Sequence, residues 1–184
     1  DSYSQAFSSF IDSLREKQFE KLVLSRTSTH VKDSFFSLEK ALHNACERYA
    51  DAFVYLYHTP ETGTWLGSTP EILLSGEGEQ WNTVALAGTL PFNRAFLPDA
   101  WSEKNIREQQ LVADYVGNQL NSFGIESEVR GPFTVRAGEL AHLKSEFSFD
   151  LPKKKQLGSL LRLLHPTPAV CGLPKEEAYQ FILA

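Results

Sequence analysis

The chain has 184 residues, 42% of them hydrophobic and 22% charged, with a net charge of -5 at pH 7. That length and mix suit one ordinary globular domain and exclude collagen, a coiled coil or a disordered chain. The acidic balance argues against nucleic acid or an anionic membrane as partner, because either needs a basic face, and leaves small molecules as the expected ligands.

No apolar run approaches the ~18 residues needed to span a bilayer, and Asp1-Ser2-Tyr3-Ser4-Gln5 carries neither the basic nor the apolar region of a secretion signal. Cys46 and Cys171 are isolated, without CxxC spacing, so a reducing compartment, the cytoplasm, is expected. The sequence contains no Met, and its last residues stop inside an amphipathic helical pattern with no C-terminal cap. The functional unit is therefore expected to be longer than this chain. Such a domain should expose an apolar face or cover it in a dimer.

Phe7, Phe10, Ile11 and Leu14 recur at i, i+3, i+4 and i+7, which predicts a helix over residues 3–18. Lys21 to Val31 is rich in aliphatic and β-branched residues and reads as a long strand. A helix is expected over 37–50. Strands are expected at 53–57, 64–66, 71–75 and 81–86, separated by Pro60-Glu61-Thr62-Gly63, Gly67-Ser68-Thr69-Pro70 and Gly76-Glu77-Gly78, a spacing that suits antiparallel hairpins. A polar loop, Pro91 to Ala100, leads to a long helix over 102–123 that buries Ile106, Leu111, Val112, Tyr115, Val116 and Leu120. Short strands follow near 125–129 and 133–137, with no element assigned over 138–152. Helices at 153–164 and 175–184 flank the stiff connector His165-Pro166-Thr167-Pro168. The order specifies an α+β fold with helices outside antiparallel sheets.

The chain has no phosphate loop, Rossmann glycine pattern, HExxH or GxSxG. It does contain Lys21-Leu22-Val23-Leu24-Ser25-Arg26, Gly67-Ser68-Thr69-Pro70-Glu71, Ala85-Leu86-Ala87-Gly88-Thr89, Ser102-Glu103-Lys104 leading to Glu108, and Leu163-Leu164-His165-Pro166-Thr167-Pro168-Ala169-Val170-Cys171-Gly172-Leu173-Pro174. As an ordered set these stretches resemble the chorismate-utilising enzymes, and within them the isochorismate synthases. The resemblance runs from one end of the chain to the other. It implies a fold of antiparallel sheets packed face to face, chorismate and isochorismate as ligands, and Mg²⁺ as cofactor.

By that resemblance Lys21 is the base that activates water for attack on C2 of chorismate. On composition alone it is a solvated strand-start residue. The catalytic role needs its pKa lowered from ~10.4 toward ~7–8, about 4 kcal/mol that the fold must supply, so Lys21 should be shielded and should lack a tight carboxylate partner. Glu71, otherwise a solvated residue after Pro70, matches the acid that protonates the departing C4 hydroxyl, which calls for a raised pKa. A direct Lys21–Glu71 ion pair would push both groups the wrong way, so the two should flank the ring from opposite sides.

Glu108, on the long helix, matches one of two glutamates that hold Mg²⁺ against the substrate's ring carboxylate. The residue after it is often His in relatives and is Gln109 here. The second metal glutamate and the side-chain carboxylate clamp of the family have no counterpart in these residues. Gly88 and Thr89 match a segment that approaches the substrate closely, although a strand-end glycine is as often only a turn. His142 matches a histidine near the substrate hydroxyl, and His165-Pro166-Thr167-Pro168 matches a turn that shapes the pocket wall.

Within the family, Leu86-Ala87-Gly88-Thr89 lacks the lysine nucleophile of aminodeoxychorismate synthases, and Lys21 disfavours anthranilate synthases. Salicylate synthases keep the lysine but usually differ at residues 165–168. The rival from another class is a non-catalytic relative that binds carboxylates weakly.

Overall fold

In the computed structural model, residues 2–92, 100–152 and 156–184 are described. The elements are α1 (Ser2–Arg15), β1 (Lys21–Leu22), α2 (Leu38–Arg48), β2 (Phe53–Thr59), β3 (Gly63–Thr69), β4 (Ser75–Glu77), β5 (Gln80–Pro91), α3 (Glu103–Ser122), β6 (Ser127–Ala137), β7 (Leu140–Asp150), α4 (Leu157–Leu164), β8 (Gly172–Leu173) and α5 (Lys175–Leu183). The α+β class expected from the sequence is the architecture. All strand pairs are antiparallel, in a four-stranded sheet ordered β4-β5-β7-β6, a β2-β3 hairpin and a β1-β8 ladder. Of the polar loop expected at 91–100, residues 93–99 lie outside the described residues, as does the expected start of the fourth helix at 153–155.

The core lies between one face of the four-stranded sheet and the helices α3 and α4. Asn105, Gln109, Val112, Val116 and Leu120 follow helical spacing on α3 and are all buried. Val112, Val116 and Leu120 pack in one cluster with Ala85 and Ala87 of β5 and Phe147 and Phe149 of β7, and Leu160 and Leu164 of α4 close it. The two alanines keep the strand surface low, so the helix approaches closely while the phenylalanines fill the flanks. Ser102 caps α3, its hydroxyl accepting from the amide of Asn105 at 3.3 Å. In this chain the layer that covers the sheet's inner face is helical.

Three expectations are corrected. The central strand β7 lies where no element is expected, although Ala141, Leu143, Ser145, Phe147 and Phe149 alternate strictly with more exposed residues. The long strand at 21–31 is laddered only at Lys21 and Leu22, opposite Leu173 and Gly172. Residues 24–31 find no strand beside them among the described residues, and strand propensity without a neighbour to pack against forms no sheet. The strand expected at 71–75 is replaced by an irregular segment held to β5 through the Thr83 hydroxyl, which donates to the Leu73 carbonyl at 2.7 Å, with the strand itself starting only at Ser75.

Apolar side chains are exposed on the hairpin, with Phe53 at 71% and Trp65 at 53% of their full accessibility. No helix among the described residues is long and apolar enough to cross a membrane.

Candidate active site

Lys21 opens β1, and its β8 partner strand brings the 168–173 turn alongside. The Lys21 ammonium donates to the Pro168 carbonyl at 2.6 Å and contacts Glu108 Oε1 at 3.4 Å. Its side chain is only 12% accessible. Burial, the dominant influence, pulls the Lys21 pKa below the ordinary lysine value, while Glu108 and, more weakly, Glu71 push it back up. The shielding expected of Lys21 is present. The expected lack of a carboxylate partner is not: α3 carries Glu108 into contact with the amine, a consequence of the helix face that also buries Asn105 and Gln109.

Glu71 follows Pro70 at the exit of the β2-β3 hairpin, where its amide donates to the Thr69 hydroxyl at 3.2 Å. Burial holds its carboxyl above the usual carboxylate range, opposed by the nearby charge of Lys21. The carboxylate in contact with Lys21 is Glu108, and Glu71 acts on Lys21 through space.

Gly88 sits at a β-bulge where the β5-β7 register slips between Ala87 and Thr89, with φ at +73°. A Cβ there would lie 3.2 Å from the Asn105 carbonyl oxygen and 3.3 Å from the Asn105 Cβ. The missing side chain makes room for the start of α3. Opposite the bulge, His142 Nδ1 lies 3.2 Å from the Thr89 hydroxyl and the ring bonds to the Gly88 backbone. Burial lowers the His142 pKa, which favours the neutral ring at pH 7.

Thr69, Pro70, Glu71, Gly88, Thr89, Glu108, His142 and Ala169 line one cleft of about 180 Å³. Lys21 lines a neighbouring cleft of about 630 Å³ that shares Glu108 and Ala169 with the first. The structure thus brings Glu71, Gly88, Thr89, Glu108 and His142 together and sets Lys21 across Glu108 from them. The smaller cleft is below the ~300–1,000 Å³ usual for small-molecule sites. Among the described residues no group of three or more His, Cys, Asp or Glu side chains is placed to hold a metal ion.

Sequence reasoning missed two contributors. Pro168 was assigned only to a wall, yet its carbonyl is the shortest polar contact of Lys21. A backbone acceptor leaves no mark in side-chain identity, so only its place in the proline-rich turn could have hinted at it. Gln109 is 1% exposed, and its side-chain amide donates to the Ser145 hydroxyl at 2.8 Å, tying α3 to β7 next to Glu108.

An antiparallel α+β layer thus gathers a shielded amine, a half-buried carboxyl and a helix-borne glutamate around a small cleft. The particular family is the chorismate-binding enzymes: the family described as "Chorismate binding enzyme" matches residues 1–184, and the chain belongs to it. Its relatives include isochorismate synthase MenF of Bacillus subtilis, 27% identical over 190 residues, covering 99% of this chain and 40% of that protein. Isochorismate synthase EntC of Escherichia coli is 30% identical over 179 residues, covering 90% of this chain and 44% of that protein. A crystal structure of a protein described as a 2,3-dihydroxybenzoate-specific isochorismate synthase, DhbC, from Bacillus anthracis superposes with a TM-score of 0.79 at 26% identity, covering 98% of this chain and 52% of that one. The chain thus spans 40–44% of the length of these curated relatives.

Proposed function

We propose that the whole protein containing these residues is an isochorismate synthase, with Lys21 as base and Glu71 as acid. The observation that supports this reading most directly is the pair of opposed pKa movements: burial lowers that of Lys21 and raises that of Glu71 while the two remain outside direct contact. That combination favours an amine able to accept a proton and a carboxyl able to give one.

In this reading the neutral Lys21 amine removes a proton from a water molecule as the water oxygen bonds to C2 of chorismate. Both ring double bonds shift, from C1=C2 and C5=C6 to C1=C6 and C4=C5, the C4–O bond breaks, and Glu71 delivers its proton to the departing hydroxyl. Neutral Lys21 keeps two N–H groups, which the Pro168 carbonyl and Glu108 can accept, leaving the lone pair for the water. Thr89 and His142 orient the substrate hydroxyl at the rim of the smaller cleft. Glu108 supplies one hard oxygen donor of the kind Mg²⁺ prefers, to be completed by substrate, water and donors outside the described residues; when bound, the ion would fix the ring carboxylate.

Chorismate turnover, followed by chromatography of isochorismate in the presence of Mg²⁺, tests the reading. In a polypeptide that carries these residues at the full length of the relatives, Lys21→Ala and Glu71→Gln are each expected to lower kcat by about 100-fold or more. Unchanged rates in both would remove the assignment. The 184-residue chain alone is expected to give little or no turnover, since a single carboxylate is a small part of a magnesium site.

A further inference from the structure

The turn that carries the Pro168 carbonyl runs from the end of α4 to β8, and its two ends are held by different means. At the far end it is tied to the β1 region: the Val23 amide donates to the Cys171 carbonyl at 2.8 Å and the Glu20 amide to the Leu173 carbonyl at 2.9 Å. Within the turn the Val170 and Cys171 amides both donate to the Thr167 carbonyl at 3.1 Å, and Thr167 and Pro168 are buried. At the near end the last carbonyls of α4 lack partners inside the helix and must find them elsewhere. The Leu163 carbonyl accepts from the Tyr115 hydroxyl at 3.1 Å and from Lys175 Nζ at 2.9 Å, and the same Nζ donates to the His165 carbonyl at 2.8 Å.

Lys175 is the first residue of α5, so its side chain reaches back across the whole turn and closes it. A cation there also suits the negative end of the α4 dipole. Burial pulls the Lys175 pKa below the ordinary lysine value, opposed by Glu176 and Cys171, as befits an ammonium that has exchanged water for two carbonyls. Two lysines thus grip one turn, Lys175 at its start and Lys21 at Pro168.

We propose that Lys175 is a positioning residue: by joining the Leu163 and His165 carbonyls to the head of α5 it closes the turn and sets the Pro168 carbonyl that orients the Lys21 amine. Lys175 lines neither of the clefts that meet at Glu108, so it acts through the backbone and not on a ligand there. Its consequence for catalysis rests on the reading of Lys21 as base.

The test uses the polypeptide of the relatives' full length. Lys175→Met should lower kcat by about 10-fold, the scale of a small misplacement set from outside the site. In a Lys21→Ala background the same change should cost no further rate, because the base that it sets is gone, whereas a merely stabilising residue would cost the same factor in both. Lys175→Arg keeps the donors and should restore most of the rate. Lys175→Met should also speed hydrogen exchange at the Val23, Val170 and Cys171 amides and leave that of β7 unchanged. Tyr115→Phe removes the other donor to Leu163 and should act in the same sense with a smaller loss, which keeps the test open where Lys175→Met does not fold. Equal losses in the two backgrounds, or unchanged exchange at those three amides, overturn the proposal and leave Lys21 as base. An unchanged rate in Lys21→Ala alone is a distinct result, which removes the base and this role with it.

Discussion

The buried bond between Gln109 and Ser145 is the point where the fold sets the position of Glu108. Gln109→Leu keeps side-chain bulk but leaves the Ser145 hydroxyl, in a residue only 3% exposed, without its donor. An unpaired buried hydroxyl costs about 1–3 kcal/mol. Ser145→Ala leaves the Gln109 amide unpaired for a similar cost. With both partners apolar the penalty largely disappears, so Gln109→Leu/Ser145→Ala should be more stable than the sum of the singles by about 1–3 kcal/mol. Urea unfolding with constant slope gives the three free energies, and each kcal/mol should appear as roughly 2–4 °C in Tm for a chain of this size. Additivity within ~0.5 kcal/mol would refute the claim that this bond pins the helix. Residues one apart on a helix point about 100° away from each other, so a rolled α3 would also displace Glu108 from Lys21.

Gly88→Ala should destabilise by about 1–3 kcal/mol, since it strains a positive φ and crowds Asn105; an unchanged urea midpoint would show that the bulge relaxes freely. Glu108→Gln removes the main influence opposing burial at Lys21, so the lysine should titrate still lower, as read by NMR of the ¹³C-dimethylated amine; an upward move would contradict the contact. Glu71 has its folded pKa raised above 4.5, so its contribution to stability is fully present below about pH 4.5 and is lost as pH rises through the folded value. Glu71→Gln should accordingly gain stability relative to wild type across that window and match it below; a gap that instead widens as pH falls would mean the carboxylate is stabilised in the fold.

Helices were legible because their periodicity is local: α3 was expected at 102–123 and occupies Glu103–Ser122, with Ser102 as its cap. The strands depended on neighbours. β7 hid its alternation because Ser145 replaces an apolar residue on the inner face, and the reason for a serine there lies across the core at Gln109. The stretch at 24–31 misled in the opposite direction, having strand-forming residues without a companion in this chain. At the site, side-chain identities pointed to Lys21, Glu71 and Glu108 through the family pattern. The ion pair between Lys21 and Glu108 was hidden, because it depends on the rotational setting of α3 against a ladder formed by residues some 150 positions apart in the chain.

That ion pair also bears on how an amine can be both shielded and useful. A buried lysine with no partner would lose its proton too readily and bind nothing, whereas one locked to a carboxylate in a dry site would never release it. Lys21 lies between these limits because Glu108 is one-third exposed, which lets solvent weaken the attraction, and because the Pro168 carbonyl orients the amine without adding a negative charge. Any cation or ligand group that engages Glu108 from the cleft would draw its charge away from Lys21 and lower the lysine pKa further. Occupancy of the neighbouring cleft and the basicity of Lys21 are thereby linked through one carboxylate, and a larger share of the amine is neutral and free to take up a proton when Glu108 has something else to hold.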